Sequence, residues 1–213
     1  FQTWEKTSAT ERSNLLNKIA QKIEDNLEYL AAVETVDNGK PIRETLAADM
    51  PLVIDHFRYF ASVIRAEESS IAELDSNTVS IALSEPLGVI AQIIPWNFPI
   101  LMAVWKLAPA LAAGCSVIIK PAEDTPLTAI RVAQIAKDAG IPDGVLNVLP
   151  GFGDVGEALG RHKDVDAVSF TGSTEVGGLF MKYSGESNLK TIGLEMGGKS
   201  PFIVLDDAKI TDD

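Results

Sequence analysis

The first part of the chain carries apolar residues at steps of three and four, which is the spacing of one face of an α-helix. Ser8 and Glu11 precede this run with the spacing of a capping box, and the turn-forming sequence Asn38-Gly39-Lys40-Pro41 follows it. We therefore predict a helical region that begins near Ser8 and ends at Asn38. Its apolar face consists of Leu15, Leu16, Ile19, Ile23, Leu27 and Leu30.

A second helical region follows, in which Pro51 either starts a new helix or bends the existing one. Beyond it, the polar stretch from Glu67 to Glu85 changes to a period of two, which predicts a half-exposed strand. A strand outside the main core is a candidate for an arm that contacts another subunit. The apolar stripe of the helix is Ile42, Leu46, Val53, Phe57, Phe60 and Ile64, and that of the strand is Val79, Ile81 and Leu83.

From Pro86 onward, apolar segments typical of strands alternate with segments typical of helices. This alternation predicts an α/β protein with a doubly wound parallel sheet and helices on both faces. Ligands bind beyond the carboxyl ends of the strands in such sheets. The predicted strands are Gly88–Ile94, Ser116–Lys120, Leu146–Leu149, Ala167–Phe170, Thr191–Leu194 and Phe202–Leu205. The predicted helices are Pro99–Ala113, Pro126–Ala139, Asp154–Gly160 and Glu175–Tyr183.

Composition and charge exclude several classes of protein. Hydrophobic residues make up 46% and charged residues 23% of the 213 residues, which is typical of a globular protein. The net charge of -12 disfavours binding to nucleic acids and to anionic membranes. The most apolar stretch, Gly88–Gly114, is interrupted by prolines and polar residues. We therefore expect a buried strand and a buried helix there, and no membrane span.

Cysteine use indicates a reducing compartment. Cys115 is the only cysteine, so neither an intramolecular disulfide nor a cysteine pair for a metal can form. We therefore expect a cytoplasmic protein without a metal site. Cys115 leads into a predicted buried strand and is expected to be a buried thiol. His56 and His162 have polar neighbours and are expected at the surface.

The first two strands of the predicted sheet each end in residues with two possible roles. Asn97 lies between Pro95 and Pro99, where its side-chain amide could stabilise an oxyanion or could cap the next helix through an Asx turn. Lys120 and Glu123 follow the second strand. Glu123 could accept hydrogen bonds from the ribose hydroxyls of a dinucleotide, or the two residues could form a solvated ion pair.

Two turns rich in glycine follow the next strands. Gly151–Gly156 spells G-x-G-x-x-G, which is a weak dinucleotide signal because any tight turn before a helix can have this form. After the fourth strand, Thr171–Gly178 brings small residues to the start of a helix, where backbone N–H groups bind phosphate. Alternatively, Ser173 or Thr174 caps this helix and binds nothing.

The fifth predicted strand leads directly into Glu195. A buried carboxylate at this position is costly unless it is paired or used in chemistry. Glu195 is therefore either a general base or the partner of Lys199 in a salt bridge.

Together, these segments resemble the aldehyde dehydrogenase superfamily. The matching sequences are IIPWNFP, AVWKLAPALAAG, VIIKPAEDTP, GFGDVG, FTGSTEVG and LEMGGKSP. They occur in the order and spacing of the family from about Pro86 to Pro201, which makes coincidence implausible. FQTW, DNGKPIRE and DHFRYFA also resemble the N-terminal helices of the family, so the resemblance covers nearly the whole chain.

The resemblance implies a site for NAD, a tunnel for an aldehyde and two catalytic residues. Asn97 would stabilise the oxyanion, and Glu195 would activate the water that releases the product. The family's dinucleotide loop corresponds to Gly172–Gly177, so the turn at Gly151 would only lie near the adenine. The implied cofactor contacts are Ile93, Pro95, Trp96, Lys120, Glu123, Gly153, Phe170, Thr171, Gly172, Ser173, Thr174, Glu175, Val176, Gly177 and Met196. The implied tunnel residues are Met102, Trp105 and Lys106, of which Lys106 would assist proton transfer.

The implied reaction is the oxidation of an aldehyde to a carboxylic acid with NAD⁺, through a thiohemiacetal and a thioester on a cysteine. That cysteine would lie beyond Asp213, and Cys115 does not match it, so we expect the chain alone to be inactive. A non-catalytic dinucleotide-binding module is the alternative, although such a module needs neither Asn97 nor Glu195. Glu123 would repel a 2′-phosphate, which favours NAD over NADP. Glu195 favours hydrolysis over acyl transfer to coenzyme A.

The resemblance also divides the chain into parts. Residues 1–66 would form the N-terminal helical part of the NAD-binding domain, and residues 67–86 the oligomerisation β arm. Residues 87–195 would form the Rossmann-like core, and residues 196–213 the start of a catalytic domain. The implied assembly is a homodimer or homotetramer.

Overall fold

The computed structural model of the protein describes residues 1–208, and its N-terminal part is helical. A two-stranded antiparallel hairpin follows these helices. The helical elements are α1 (Ala9–Asp25), α2 (Leu27–Asn38), α3 (Ile42–Glu44), a π-helical turn (Thr45–Asp49) and α4 (Met50–Ala66). The hairpin consists of β1 (Ser70–Asp75) and β2 (Thr78–Ala82).

The rest of the chain alternates strands and helices, as predicted. The five strands β3 to β7 form one parallel sheet in the order β5-β4-β3-β6-β7. The strands are β3 (Val89–Ile93), β4 (Ser116–Lys120), β5 (Leu146–Val148), β6 (Ala167–Gly172) and β7 (Thr191–Met196). The helices are α5 (Pro99–Ala112), α6 (Leu127–Ala139), α7 (Gly153–Arg161) and α8 (Thr174–Gly185).

Helices cover both faces of this sheet, which confirms the doubly wound α/β fold. On one face, a large apolar core joins α1, α2 and α4 to α5, α6 and the buried side chains of β4. On the other face, a smaller core joins α7 and α8 to β3 and β6. The chain adds β4 and β5 on one side of β3 and then returns to add β6 and β7 on the other side. The strand order therefore reverses between β3 and β6, which is where such sheets bind ligands.

The N-terminal helices differ from prediction at one point. The capping box of Ser8 and Glu11 is present, and Gly39 ends α2 in the left-handed conformation with φ of 80°. The predicted single helical run is interrupted at Asn26, however. Its side chain donates a hydrogen bond to the Lys22 carbonyl, which competes with continuation of the helix. Pro51 follows directly after the π-helical turn, within a helical run that continues through Asp49 and Met50, so it does not start a new helix.

Two predictions about strands were wrong. The hairpin is exposed along both of its strands, whereas we expected a half-exposed strand. The segment Phe202–Leu205 forms no strand, and its side chains are between 54% and 91% exposed. An apolar run forms a strand only when a neighbouring strand accepts its backbone hydrogen bonds, and among residues 1–208 this segment has no such neighbour. The predicted fourth part of the chain extends to residues 209–213, which lie outside the described residues.

Two further features follow from the described part of the chain. Among residues 1–208, no helix combines the length and the hydrophobicity that crossing a bilayer requires. Within the same residues, no group of three or more histidine, cysteine or acidic side chains is placed to hold a metal ion.

Candidate active site

The carboxyl ends of the strands meet at one edge of the sheet. The strand pairing places Ile93, Lys120, Phe170 and Leu194 at the same level. The loops that follow β3, β4 and β6 therefore begin side by side, together with the last residues of β7. The side chains that the sequence indicated as candidates for catalysis or ligand binding lie at this edge.

The loop after β3 carries Asn97 into solvent. Asn97 is exposed, and the N-terminal cap of α5 is Phe98, without a side-chain hydrogen bond. The N–H of Ile100, in the first turn of α5, donates instead to Glu34. The alternative in which Asn97 caps the helix is therefore wrong, and its side chain stays available to a ligand.

Lys120 and Glu123 form an ion pair after β4. The Lys120 Nζ atom lies 3.4 Å from Glu123 Oε2 and 3.1 Å from the Pro121 carbonyl oxygen. Lys120 is buried, whereas the Glu123 side chain is 44% exposed. The ion pair is therefore present, but on the Lys120 side it is buried rather than solvated, and the exposed carboxylate of Glu123 remains open to further hydrogen bonds.

The loop after β6 leads into the N-terminus of α8. Ser173 caps this helix, because its Oγ atom accepts a hydrogen bond of 3.2 Å from the Val176 N–H. Ser173 therefore caps the helix, whereas the part of that alternative in which the turn binds nothing stays a prediction. Other N–H groups in the first turn of a helix lack partners within the helix, so the capped turn can still bind an anion.

A cavity of about 440 Å³ lies between these loops. Thr171 contributes a buried hydroxyl oxygen without a hydrogen-bond partner among the described residues. Of the predicted cofactor residues, those that line the cavity are Ile93, Pro95, Trp96, Lys120, Glu123, Gly153, Phe170, Thr171, Gly172, Ser173 and Val176. Thr174 and Glu175 are exposed in the first turn of α8, and a Cβ atom on Gly177 would lie 2.5 Å from Met196 Sδ.

A neighbouring cavity of about 410 Å³ brings Asn97 and Glu195 together. Met102, Ser173 and Met196 also line it. Because Ser173 borders both cavities, the two predicted catalytic residues lie next to the predicted cofactor residues.

The surroundings of Glu195 differ from expectation. Glu195 is exposed, and it forms no salt bridge with Lys199 in the described part of the chain. Both the predicted burial and the salt-bridge alternative are therefore wrong. The reason is the position of β7 at the edge of the sheet, where β6 is its only neighbour among residues 1–208.

A third cavity, of about 500 Å³, lies between α5 and the strands β3, β6 and β7. It contains all three predicted tunnel residues, together with Glu195. The Lys106 Nζ atom donates a hydrogen bond of 2.9 Å to Ser169 Oγ. Burial lowers the pKa of Lys106, and the negative charge of Glu195 opposes this shift. Met102 is buried, and Trp105 is 37% exposed.

The histidines and the cysteine lie away from the edge that carries the loops. Cys115 is buried, as predicted, at the amino-terminal end of β4. By the strand pairing it is six positions from Glu195 along the sheet, or about 20 Å. His162 is exposed as expected, but His56 is half-buried with its ring 5.5 Å from that of Trp105.

Sequence patterns missed several residues that contact the site. Ser169 binds Lys106 and was counted only as part of a strand; its alternation with the buried Val168 and Phe170 could have indicated its face. Three residues in or just after the last part of α2 contact the loop of Asn97 or the first turn of α5, although the sequence there indicated only a turn. They are Glu34, Asn38 and Lys40.

The fold and the edge of the sheet define an α/β protein with a candidate ligand site at the reversal of strand order. The model of the aldehyde dehydrogenase family matches residues 1–213. The chain is 54% identical over 211 residues to an aldehyde dehydrogenase of Rhodospirillum rubrum, which covers 99% of this chain and 41% of that protein. It is 57% identical over 211 residues to a long-chain-aldehyde dehydrogenase of an Acinetobacter species, which covers 99% of this chain and 42% of that protein.

A solved structure shows the same architecture. An indole-3-acetaldehyde dehydrogenase in complex with NAD⁺ matches with a TM-score of 0.91 at 48% identity, covering 93% of this chain and 40% of that chain. The chain therefore belongs to the aldehyde dehydrogenase family. It spans about 41% of the length of the curated relatives that it matches.

Proposed function

We propose that these residues form the cofactor half of the active site of an NAD-dependent enzyme that oxidises an aldehyde to a carboxylic acid. The observation that carries this proposal is the shared cavity of Asn97 and Glu195, which adjoins the cavity lined by the predicted cofactor residues. A hydrogen-bond donor and a carboxylate beside a dinucleotide site are the groups that oxidation and hydrolysis require.

The residues present fit NAD. The capped N-terminus of α8 and the buried ammonium group of Lys120 offer positive potential for a pyrophosphate and for polar ribose groups. The unpartnered hydroxyl of Thr171 faces the same cavity. Glu123 carries an exposed carboxylate that can accept hydrogen bonds from ribose hydroxyls and that repels a 2′-phosphate. These features support NAD as the preferred cofactor over NADP.

The proposed chemistry divides between this chain and a nucleophile outside it. A cysteine thiolate attacks the carbonyl carbon of the aldehyde, and the side-chain amide of Asn97 donates a hydrogen bond to the oxyanion that forms. NAD⁺, when bound, supplies the acceptor for the hydride that leaves this carbon. Glu195 then takes a proton from water, whose oxygen attacks the thioester and releases the carboxylic acid and the thiolate. Cys115 is not the proposed nucleophile, because it is buried and lies at the opposite end of the strands from Glu195, although it borders the same large cavity.

Lys106 extends this site along α5. Its ammonium group is held by Ser169 within the cavity that also contains Glu195. We propose that Met102 and Trp105 contact the aldehyde. We also propose that Lys106 assists the proton transfer in which Glu195 takes part.

The test is turnover by the full-length protein that contains this chain. Incubation with a panel of aldehydes and NAD⁺ should produce NADH and the matching carboxylic acids, with a higher kcat/KM for NAD⁺ than for NADP⁺. Absence of NADH and acid with every aldehyde would contradict the proposal, as would a preference for NADP⁺. Binding of NADH without any turnover would instead favour a non-catalytic dinucleotide-binding module.

We also propose how the chain is divided into parts and which part makes the contact between subunits. Residues 1–66 and 87–195 form one cofactor-binding unit, because their apolar side chains share a core. The exposed hairpin within residues 67–86 is the proposed arm of a homodimer or homotetramer. Residues from 196 onward begin the proposed catalytic part.

A further inference from the structure

The end of α2 and the turn that follows it contact the Asn97 loop and the first turn of α5 at three alternating positions. The Asn38 side-chain amide donates a hydrogen bond of 2.5 Å to the carbonyl oxygen of Trp96. The Lys40 Nζ atom lies 3.7 Å from the centre of the Phe98 ring. The Glu34 carboxylate accepts a hydrogen bond of 3.1 Å from the Ile100 N–H.

These contacts fall on both sides of Asn97. The Trp96 carbonyl belongs to the planar peptide group that links Trp96 to Asn97, so its hydrogen bond fixes the orientation of the Asn97 backbone. The side chain of Asn97 itself makes no hydrogen bond within residues 1–208. Its direction therefore depends on the backbone that carries it.

The turn of α2 is itself held firmly. Glu34 has no solvent exposure and also accepts a hydrogen bond of 2.7 Å from Thr128 Oγ1. Lys40 pairs at 2.6 Å with Asp49, whose side chain is only 2% exposed. Gly39 adopts φ of 80°, a conformation that favours glycine and that leads the chain from Asn38 to Lys40.

We propose that Asn38 is a positioning residue for the oxyanion-stabilising Asn97, acting through the carbonyl of Trp96. This inference rests on the proposed function. An amide that stabilises an oxyanion must be held within a fraction of an ångström of its working position. Asn38 lines none of the three cavities described above, so its proposed effect is exerted only through Asn97.

The test is a double-mutant cycle on the rate of the first turnover in the full-length protein. Rapid mixing with aldehyde and saturating NAD⁺ gives the rate of NADH formation for Asn38→Ala, for Asn97→Ala and for the double variant. We expect Asn38→Ala to slow this rate about 10-fold and Asn97→Ala about 100-fold or more. The double variant should be no slower than Asn97→Ala alone, because Asn38 has nothing left to position.

Controls separate positioning from a general structural effect. The KM for NAD⁺ and the Tm of Asn38→Ala should stay near those of the wild-type protein. Asn38→Asp keeps the shape, removes the donor and should behave like Asn38→Ala. Asn26→Asp is the matched control, because Asn26 also donates to a backbone carbonyl at a helix end but lies at the far end of α2. It should leave the rate unchanged.

Three results would overturn the inference. One is an unchanged first-turnover rate in both Asn38 variants. Another is a double variant that is slower than Asn97→Ala by the same factor by which Asn38→Ala is slower than wild type. That result would mean that Asn38 acts independently of Asn97. The third is a full rate in Asn97→Ala, which would also refute the proposed role of Asn97, whereas the first two leave that role intact.

Discussion

Glu34 shows how one buried carboxyl group can join the helices that follow two of the loops at the edge of the sheet. It accepts hydrogen bonds from the first turn of α5, at Ile100, and from the first turn of α6, at Thr128. These helices follow the loops that carry Asn97 and Glu123, respectively. Burial raises the pKa of Glu34 to about 6, against the opposing effect of its two hydrogen bonds. The ionised form is therefore retained at neutral pH at a cost to stability.

The pH dependence of stability provides a test at this residue. Because the pKa of Glu34 is higher in the folded state than in the unfolded state, ionisation of this residue lowers the free energy of unfolding. This loss develops as the pH rises from the unfolded-state pKa of 4.5 to the folded-state pKa of about 6, and it persists at higher pH. Glu34→Gln can still accept a hydrogen bond from the Ile100 N–H and can donate one to Thr128 Oγ1, and it does not ionise. We expect its free energy of unfolding, relative to wild type, to increase by up to about 2 kcal/mol between pH 4.5 and pH 7.

Urea denaturation at the two pH values measures this difference. Glu28→Gln is the matched control for the loss of one negative charge, because Glu28 is exposed on the same helix. If Glu34→Gln differed from wild type by the same amount at both pH values, ionisation of Glu34 would have no part in stability.

The helices and strands were largely predictable, because their apolar periods reflect the burial that holds them. The strands β4 and β6 begin where the sequence predicted, and the residues after each strand meet at one edge as the parallel fold requires. The break at Asn26 was not predictable from apolar spacing, since it depends on a side-chain hydrogen bond. Contacts between distant segments, such as Asn38 with Trp96 and Lys106 with Ser169, leave no pattern in a single sequence.

The packing of α7 against α8 gives a prediction at the level of elements. A Cβ atom on Gly160 would lie 2.9 Å from Tyr183 Cδ2 and 3.1 Å from Phe180 Cδ1. Gly160→Ala should therefore lower the free energy of unfolding by about 1–3 kcal/mol, because the two helices must separate. Gly178→Ala is the matched control, since its Cβ would meet no atom within 4 Å in the exposed part of α8.

Chemical denaturation of the two variants distinguishes close packing from the intrinsic preference for alanine in helices. Gly178→Ala should be stabilised by up to about 1 kcal/mol. An equal gain in Gly160→Ala would show that the rings of Phe180 and Tyr183 move aside freely.

The whole molecule exposes an apolar hairpin that no described residue covers. Ile71 and Ile81 lie opposite each other on the two strands and are 72% and 57% exposed. Exposed apolar strands with free edges pair with other strands. With the net charge of -12 opposing non-specific association, we expect this hairpin to direct the assembly of the full-length protein.

Light scattering coupled to size-exclusion chromatography tests this prediction. Ile81→Lys should shift the full-length protein toward a smaller assembly, because the added charge must be desolvated in an apolar contact. Ser80→Lys places the same charge on the other face of the hairpin and should shift the mass less. An unchanged mass for Ile81→Lys would exclude this face from the subunit contact.

The division of labour between Asn97 and Glu195 is the central claim, and rapid mixing of Glu195→Gln in the full-length protein tests it most directly. In the proposed mechanism, Asn97 acts before the hydride leaves, whereas Glu195 acts on the water that follows. Glu195→Gln should therefore keep a burst of one NADH per active site, while its steady-state rate falls about 100-fold or more. An unchanged steady-state rate would show that another group activates the water and would contradict the account.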